Sequence, residues 1–314
     1  MPKQNQSPAQ KFTIRDFNLM FPNDASCLEW LKNHLYPDGI VCKRCKRVTK
    51  HHRVASRPSH CCDFCGNHVH PMADTIYNKS PTPLRLWFYA IYLMASTRCG
   101  ISAKQIQRET GVTYKTAWRM FKQIRSMLNE DGDGPPLSGE VEADETYMGG
   151  KAKNKHKDKK VGQTRGPAGK TIVAGVVERK GRVHARKVAN VSHAELLPFI
   201  KEKVLPSSLI FTDELPSYEV LPTHGYAHKR VHHASKVYVD GDAHTCTIDG
   251  FWSLVKNGIR GVYHAVSDKY LQSYLDEYSF RYNRRDAESP MFKAFLGRIR
   301  KVFPVMTEPS DLPA

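Results

Sequence analysis

The chain has 314 residues, enough for two or three domains, and 48 Lys and Arg against 31 Asp and Glu give it a formal charge of +17. That excess predicts attraction to polyanions, with nucleic acid favoured over a membrane surface. The longest apolar run, LRLWFYAIYLMA, is too short to span a bilayer, and the polar start MPKQNQSPAQK lacks the apolar core of a signal peptide. We therefore expect a cytoplasmic protein without a membrane partner.

Five of the eight cysteines fall between residues 42 and 65, in CKRC and HCCDFCG. Two CxxC pairs separated by sixteen residues can close a tetrahedral Zn–S4 site, because each turn directs two thiolates at one ion. The alternative is four reduced thiols in a core. We predict a structural zinc ribbon with the ligands Cys42, Cys45, Cys62 and Cys65. His60 is a substitute candidate, Cys61 should point elsewhere, and the isolated Cys27 and Cys99 are interpreted as packing residues.

A basic helical region follows the cysteines. The run PTPLRLWFYAIYLMASTRCG predicts a helix that is entered through proline and left through Gly100. In ISAKQIQRETGVTYKTAWRMFKQIRSMLNE, Ser102 can cap a short helix, Gly111 lies in a turn and Thr113 can cap a second helix. This is the helix-turn-helix pattern, whose second helix enters a major groove. An ordinary helical hairpin with a solvated basic face is the alternative; the neighbouring ribbon and basic charge favour DNA binding, through Lys115, Arg119, Lys122 and Arg125.

From residue 140 the pattern changes from helices to strands. In EVEADETYMGG, alternation with period two places Glu142 and Asp144 on one face. KTIVAGVVERKGRVHARKV predicts a hairpin around Lys180 and Gly181, and SHAELLPFIKEKVLP predicts a helix with Ser192 as its cap.

Two further acidic residues occupy defined positions in later elements. SLIFTDELPS predicts a short buried strand that ends in Asp213, where a carboxylate faces the edge of a sheet. TIDGFWSLVKNGIRG predicts a helix with an apolar stripe, and Asp249 and Lys256 then share another face at positions i and i+7.

These motifs resemble those of the DDE-class transposases of bacterial insertion sequences, in particular the zinc-ribbon-bearing ISXO-like group. The resemblance runs from about Phe17 to Asn283 and rests on YPDGIVCKRC, CDFCG, LRLWFYAIYLM, GISAKQIQRETGVTYKTAWRM, VEADETYMGG, FTDELPSY and FWSLVKNGIRGVYHAVSDKYLQSYLDEYSFRYNRR. It implies a multi-domain α+β protein in which an N-terminal zinc ribbon and a helix-turn-helix precede an RNase H-like α/β catalytic domain. That domain has a mixed five-stranded sheet flanked by helices.

The resemblance also implies the catalytic residues. Three acids hold two Mg²⁺ or Mn²⁺ ions: Asp144 matches the first, Asp213 the second, and Asp249 stands where the family usually has Glu. Lys256 matches the basic residue one helical face further on. Glu142 and Glu145 are interpreted as supporting or solvent-facing residues rather than ligands.

The implied activity is that of an enzyme, a DDE-type DNA transposase. It would bind the terminal inverted repeats of its element, cleave DNA strands and join 3′-hydroxyl ends to target DNA by two-metal phosphoryl transfer. Its partners would be double-stranded DNA at transposon ends and target, bound as a homodimer or higher synaptic complex associated with the nucleoid. Two alternatives stay open: an inactive or domesticated zinc-ribbon/helix-turn-helix DNA-binding regulator, which the shorter Asp249 permits, and a nuclease of the same fold that never joins strands.

The predicted domain organisation has five parts. Residues 1–80 form the segment with the ribbon, 81–130 the helix-turn-helix domain, 131–139 a Gly- and Pro-rich linker, 140–300 the catalytic domain and 301–314 a tail. The lysine-rich run 151–160 is either a DNA contact or a solvated loop. Solvated or phosphate-contacting side chains are expected at His224, His228, His232 and His233, with a second metal site as the alternative. Core packing is expected at Trp252, Tyr263, Tyr278 and Tyr282.

Overall fold

The structure is a computed structural model that describes residues 12–149, 169–231 and 244–300. The chain divides into two compact units, one made of Met1–Met127 with Ala287–Ala314 and the other of Leu128–Asp286. Within the described ranges, no helix is both long and apolar enough to cross a membrane.

The helices and strands that the sequence predicted occur in the predicted order, together with further elements near both ends of the chain. The helices are α1 (Ile14–Met20), α2 (Asp24–Leu35), α3 (Leu84–Ser96), α4 (Ala103–Thr110), α5 (Tyr114–Ser126), α6 (His193–Lys203), α7 (Cys246–Gly258), α8 (Asp268–Tyr282) and α9 (Met291–Leu296). The strands are β1 (Ile40–Val41), β2 (Val48–Thr49), β3 (His51–Val54), β4 (Ser59–Cys62), β5 (His68–Val69), β6 (Glu140–Met148), β7 (Thr171–Glu178), β8 (Val183–Val188), β9 (Leu209–Thr212) and β10 (Ala227–Arg230).

An aromatic cluster forms the core of the first unit. The rings of Phe21, which ends α1, and Phe88 on α3 lie 4.9 Å apart, and Phe17 packs edge-on against Phe292 of α9 at 5.9 Å. Phe292 is only 3% exposed. This burial explains why the residues after Asp286 belong to the first unit, whereas the sequence analysis placed residues up to 300 in the catalytic domain.

Helices α4 and α5 are bounded by the residues that the sequence indicated. The Ser102 hydroxyl accepts a hydrogen bond from the Gln105 amide at 3.1 Å, and the Thr113 hydroxyl accepts one from the Thr116 amide at 3.3 Å. Gly111 ends α4 with φ of 71°, a left-handed conformation that favours glycine. The predicted helix that was expected to continue to Gly100 ends at Ser96 in α3.

The second unit is built on a mixed five-stranded sheet with the order β10-β9-β6-β7-β8. The central strand β6 pairs antiparallel with β7, which continues antiparallel to β8, and parallel with β9, which is parallel to β10. The predicted hairpin is therefore β7–β8. This mixed sheet of five strands is the one that the family resemblance implied.

Helices cover both faces of this sheet, because β6 alternates as its sequence indicated. Val141 and Ala143 pack with Leu196 and Ile200 of α6 on one face. The other face carries Val177, and it packs against α7 and α8 through apolar residues that include Trp252, Leu275 and Tyr278. The expected packing of the C-terminal aromatic residues is confirmed.

The predicted linker is partly built into the second unit. Leu137 is 1% exposed, its amide donates to the Lys203 carbonyl at 2.7 Å, and its carbonyl accepts from the Leu205 amide at 2.8 Å. The predicted linker 131–139 therefore includes a residue, Leu137, that contributes to the core beneath α6.

Candidate functional site

Three carboxylates converge at one end of the mixed sheet. Asp144, Glu145 and Asp213 each offer an oxygen, and these oxygens all lie within 4.8 Å of one another. The register explains the meeting of the two aspartates: Glu142 on β6 pairs with Phe211 on the parallel strand β9, so Asp144 and Asp213 both lie two positions further on. We call these three residues the acidic group.

Burial and mutual repulsion perturb the acidic group. Burial raises the pKa of Asp144 to about 7, and the negative charges of Glu145, Asp213 and, more weakly, Asp249 act in the same direction. Burial, followed by the charge of Asp213, also raises the pKa of Glu145. The raised pKa values of Asp144 and Glu145 show that, among the described residues, no positive charge outweighs the burial of these two carboxylates, and hard divalent cations prefer carboxylate oxygens as ligands. The group therefore fits a divalent-cation site.

Glu145 is the member of this group that the sequence analysis did not assign as a ligand. Its carboxylate accepts a hydrogen bond of 2.9 Å from the hydroxyl of Tyr218, which is 2% exposed. Tyr218 belongs to the short helical turn that follows Asp213. The contact with this buried ring directs Glu145 toward Asp213. Its adjacency to Asp144 in the sequence was the only available signal.

Glu142 is not solvent-facing, because its side chain is fully buried beneath the start of α7. It accepts hydrogen bonds from the amides of Thr247 and Ile248 at 2.8 and 3.0 Å. The guanidinium of Arg179 donates to it from the other side at 2.9 Å. A carboxylate at a helix N-terminus satisfies amides that have no partner within the helix, and it complements the helix dipole. Glu142 thus anchors α7 to the sheet.

Helix α7 carries the remaining two predicted catalytic residues. Asp249 is exposed in the first turn of α7. In the part of the chain that the structure describes, the acidic group does not include it. The Thr245 hydroxyl donates to its carboxylate at 3.4 Å. Burial lowers the pKa of the half-buried Lys256, and the charges of Asp144 and Asp249 oppose that shift. Lys256 therefore lies within electrostatic range of both acids.

The four cysteines of the two CxxC pairs form a second compact group. Cys42 and Cys65 have their sulfur atoms 3.6 Å apart, and Cys45 and Cys62 have theirs 3.9 Å apart. A tetrahedral zinc ion with Zn–S bonds of about 2.3 Å requires sulfur separations of about 3.8 Å. The sulfur positions therefore fit a Zn–S4 site.

The two cysteine turns have the same backbone geometry. The carbonyl of Cys42 accepts from the amide of Lys46 at 2.8 Å, and the carbonyl of Cys62 accepts from the amide of Gly66 at 3.0 Å. Lys46 and Gly66 both adopt positive φ, at 55° and 70°. The Thr49 hydroxyl, 3.2 Å from the Cys62 sulfur, is the largest cause that lowers the pKa of this thiol to about 6. The contact with Cys65 raises the pKa of the Cys45 thiol to about 12, so the lowered pKa is not shared by all four thiols.

The other cysteines and His60 lie outside this group. His60 is buried with its Nε2 3.2 Å from the Glu29 carboxylate, and the Cys61 thiol contacts the carbonyl of Cys62. Cys27 is buried, as expected of a packing residue, but Cys99 is exposed, so its interpretation as a packing residue was wrong.

The four basic residues predicted to contact DNA differ in exposure. Lys115 and Arg119 are exposed on α5, and Lys122 is half-buried. Arg125 is 1% exposed, and its guanidinium lies 3.6 Å from the centre of the Phe121 ring. Its assignment as a DNA contact is corrected, because a side chain enclosed in the core cannot reach a phosphate.

The predicted histidine cluster is only partly described. His224 is exposed, whereas Nε2 of His228 lies 2.9 Å from the hydroxyl of Thr212. His232 and His233 lie outside the described residues, as do the lysine-rich run 151–160 and the tail 301–314.

Comparison with known proteins identifies the family. The model of the ISXO2-like transposase domain matches residues 136–283. An uncharacterized transposase-like protein of Haemophilus influenzae is 31% identical over 110 residues, which are 35% of this chain and 88% of that protein. The chain belongs to the ISXO2-like transposase family. An uncharacterized protein of the transposable element ISH50 of Halobacterium salinarum is 28% identical over 262 residues, covering 78% of this chain and 85% of that protein.

Two solved structures are similar to this transposase at 14% sequence identity. One is the intasome of simian T-cell lymphotropic virus in complex with PP2A regulatory subunit B56 gamma, with a TM-score of 0.31 over 66% of this chain and 80% of that chain. The other is a pre-cleavage Mos1 transpososome, with a TM-score of 0.24 over 69% and 80%. The stretch that matches the ISXO2-like transposase domain contains the whole acidic group, Asp249 and Lys256.

Proposed function

We propose that this transposase binds the ends of its own element and cleaves and joins DNA strands by metal-dependent phosphoryl transfer. The observation that carries the proposal is the acidic group: three carboxylates within 4.8 Å at the end of a mixed sheet, inside the stretch that matches the family domain. Two divalent cations bound there would activate a water or 3′-hydroxyl and stabilise the leaving oxygen.

The side chains divide the work of this site among them. Asp144 on β6 and Asp213, which directly follows the parallel strand β9, would bind the cations from one end of the sheet, and Glu145 would add a third carboxylate held by Tyr218. Lys256 carries a positive charge near Asp144 and Asp249, where it can contact a phosphate of the DNA end. The proposed fold of the catalytic domain is RNase H-like.

The identity of the third ligand is open to a direct comparison. Asp249 is exposed on the first turn of α7, whereas Glu145 already lies within the acidic group. We infer that Glu145 binds metal together with the two aspartates, and Asp249 in the first turn of α7 is the alternative third ligand.

The DNA-binding function is assigned to the first unit. Zinc bound by Cys42, Cys45, Cys62 and Cys65 would cross-link the two cysteine turns, because a segment this small has little core of its own. We infer that α4 and α5 act as a helix-turn-helix whose second helix presents Lys115, Arg119 and Lys122 to double-stranded DNA. Synapsis of two ends requires a dimer or larger assembly on the nucleoid.

Cleavage of a labelled terminal-repeat duplex tests the ligand set. Glu145→Gln and Asp249→Asn each remove one charge, so each is compared with the wild type at equal DNA occupancy in Mg²⁺ and in Mn²⁺. We expect Glu145→Gln to lose cleavage by at least about 100-fold, because close cations need anionic ligands. Full cleavage by Glu145→Gln together with loss of cleavage by Asp249→Asn would show that Asp249 on α7, and not Glu145, is the third metal ligand.

A strand-transfer assay separates the proposed function from its alternatives. The pre-cleaved terminal-repeat duplex is incubated with a supercoiled plasmid, and joined products are counted. Joining supports a transposase, cleavage without joining indicates a nuclease, and specific binding without either reaction indicates a DNA-binding regulator.

A further inference from the structure

We propose that Trp252 is a positioning residue that holds the Asp144 carboxylate in its metal-binding orientation. The indole Nε1 of Trp252 donates a hydrogen bond of 2.8 Å to Oδ2 of Asp144. The side chain on α7 thereby restrains the first acid of the site on β6. The inference rests on the proposed metal-binding function of Asp144 and adds a residue that no cation would touch.

Gly175 makes this contact sterically feasible. It pairs with Asp144 across the β6–β7 register, directly beside the carboxylate. A Cβ at this position would lie 2.6 and 2.7 Å from two ring carbons of Trp252 and 3.1 Å from the Cδ1 of Ile248. Separations below about 3.0 Å are steric clashes for carbon atoms. The indole therefore lies against the backbone of β7, in a space that only glycine leaves open.

The indole is held firmly on the sheet. Trp252 is 3% exposed, and its ring centre lies 5.2 Å from that of Phe251. Four and five residues earlier in the helix, the amides of Ile248 and Thr247 donate to the Glu142 carboxylate at the start of α7. Because the start of the helix and the indole ring are both held in place, the indole N–H of Trp252 points toward the Asp144 carboxylate.

The chemistry of the pair argues for more than packing. A buried indole N–H must find an acceptor, and an apolar ring would fill the same volume without one. Here the acceptor is one oxygen of a carboxylate in the acidic group, rather than a backbone carbonyl. Hydrogen bonds from outer residues orient metal ligands, and their loss typically weakens metal binding by about 10–100-fold.

Calorimetric titration of the DNA-free, full-length protein with Mn²⁺ provides the test. Trp252→Phe removes the donor and keeps an aromatic ring, and Gly175→Ala displaces the indole without changing any polar atom. The matched control is Gly258→Ala, where a Cβ would meet the Tyr278 hydroxyl at 1.8 Å and disturb α7 six residues away from Trp252. We expect Mn²⁺ affinity to fall about 10-fold in the first two variants and less than about 2-fold in the control.

A second measurement follows the wild type by NMR. The chain has four tryptophan indole ¹⁵N–H signals. Trp87 is also buried and donates to the Ser80 hydroxyl, so protection from hydrogen exchange does not single out Trp252. The Trp252 signal should shift when Mg²⁺ is added. Its absence from the spectrum of Trp252→Phe assigns it; if that variant does not fold, the wild-type shift still stands as the test.

Each outcome decides one proposal. Wild-type affinity in Trp252→Phe, equal losses in all three variants, or four indole signals indifferent to Mg²⁺ would each overturn the positioning role. A wild-type protein that binds no Mn²⁺ would instead refute the proposed metal site itself. Weaker Mn²⁺ binding confined to Trp252→Phe and Gly175→Ala supports the proposal.

Discussion

Replacing Glu142 with glutamine should destabilise the second unit strongly, although glutamine has nearly the same size and shape. The carboxylate is fully buried and accepts from two amides of α7, from the Thr247 hydroxyl and from the Arg179 guanidinium. Glutamine keeps one acceptor oxygen for the helix amides. Its NH₂ group would face either the helix amides or the guanidinium, and because these groups are all donors, no hydrogen bond could form there.

The magnitude follows from what remains buried. Removing one partner of a buried ion pair costs about 3–5 kcal/mol, because the other charge loses its counterion. The Arg179 side chain is 13% exposed and keeps Glu140 at 3.0 Å and the His244 carbonyl at 2.9 Å. We therefore expect the lower end of that range for Glu142→Gln, about 3 kcal/mol.

Glu140→Gln is the matched control for this prediction. Glu140 contacts the same guanidinium, but its side chain is 52% exposed, and an exposed ion pair contributes about 0–1 kcal/mol. Urea unfolding gives the two free-energy changes, and hydrogen exchange of a peptide spanning the start of α7 shows where the loss occurs. Equal effects of the two substitutions, or unchanged exchange at Thr247 and Ile248, would refute the anchoring role of Glu142.

Three further predictions concern separate parts of the chain. Cys62→Ser should reduce the zinc content measured by elemental analysis, and unchanged zinc would rule out the Zn–S4 assignment. The DNA-binding constant should fall with salt concentration, and Lys115→Ala should reduce the steepness of the log–log plot by about one because one phosphate contact is lost. Arg125→Met should leave the steepness unchanged, because the Arg125 side chain is buried. Burial lowers the pKa of His184 from 6.5 to about 4. Between these two pH values the imidazole is protonated in the unfolded chain but not in the folded protein, so the folded protein loses stability as the pH falls from 6.5 to about 4. His184→Gln should remove up to about 3 kcal/mol of that loss between pH 7 and 4, and a pH-independent effect would contradict the burial argument.

Features encoded in local sequence were predicted well. Ser102 and Thr113 cap α4 and α5 as predicted. Each hydroxyl accepts from an amide only three residues further on, so the arrangement can be recognised from a short stretch of sequence. The apolar stripe of α7 is likewise buried, since helical spacing alone determines which side chains share a face. The meeting of Asp144 and Asp213 came from the family resemblance, and the parallel β6–β9 register accounts for it.

The placements that the sequence did not predict depend on contacts between distant segments. Period-two alternation assigns Glu145 to the face opposite Asp144, yet its longer side chain and the hydroxyl of Tyr218 bring its carboxylate to the acidic group. Arg125 resembles any exposed basic residue in the sequence, and only the folded core shows it against Phe121. Leu137 sits in a Gly- and Pro-rich segment whose composition indicates a linker, although its backbone pairs with residues near the end of α6.

Metal-dependent cleavage at the element's end tests the central claim most directly. A duplex carrying the terminal repeat, labelled on one strand, is incubated with Mg²⁺ and the wild type, Asp213→Asn or Glu214→Gln, while DNA binding is measured in parallel. Asp213 belongs to the acidic group and Glu214, its neighbour in the sequence, does not, so the two substitutions remove the same charge one position apart. We expect cleavage by the wild type and Glu214→Gln, and none by Asp213→Asn at equal DNA occupancy. Undiminished cleavage by Asp213→Asn would contradict the central claim.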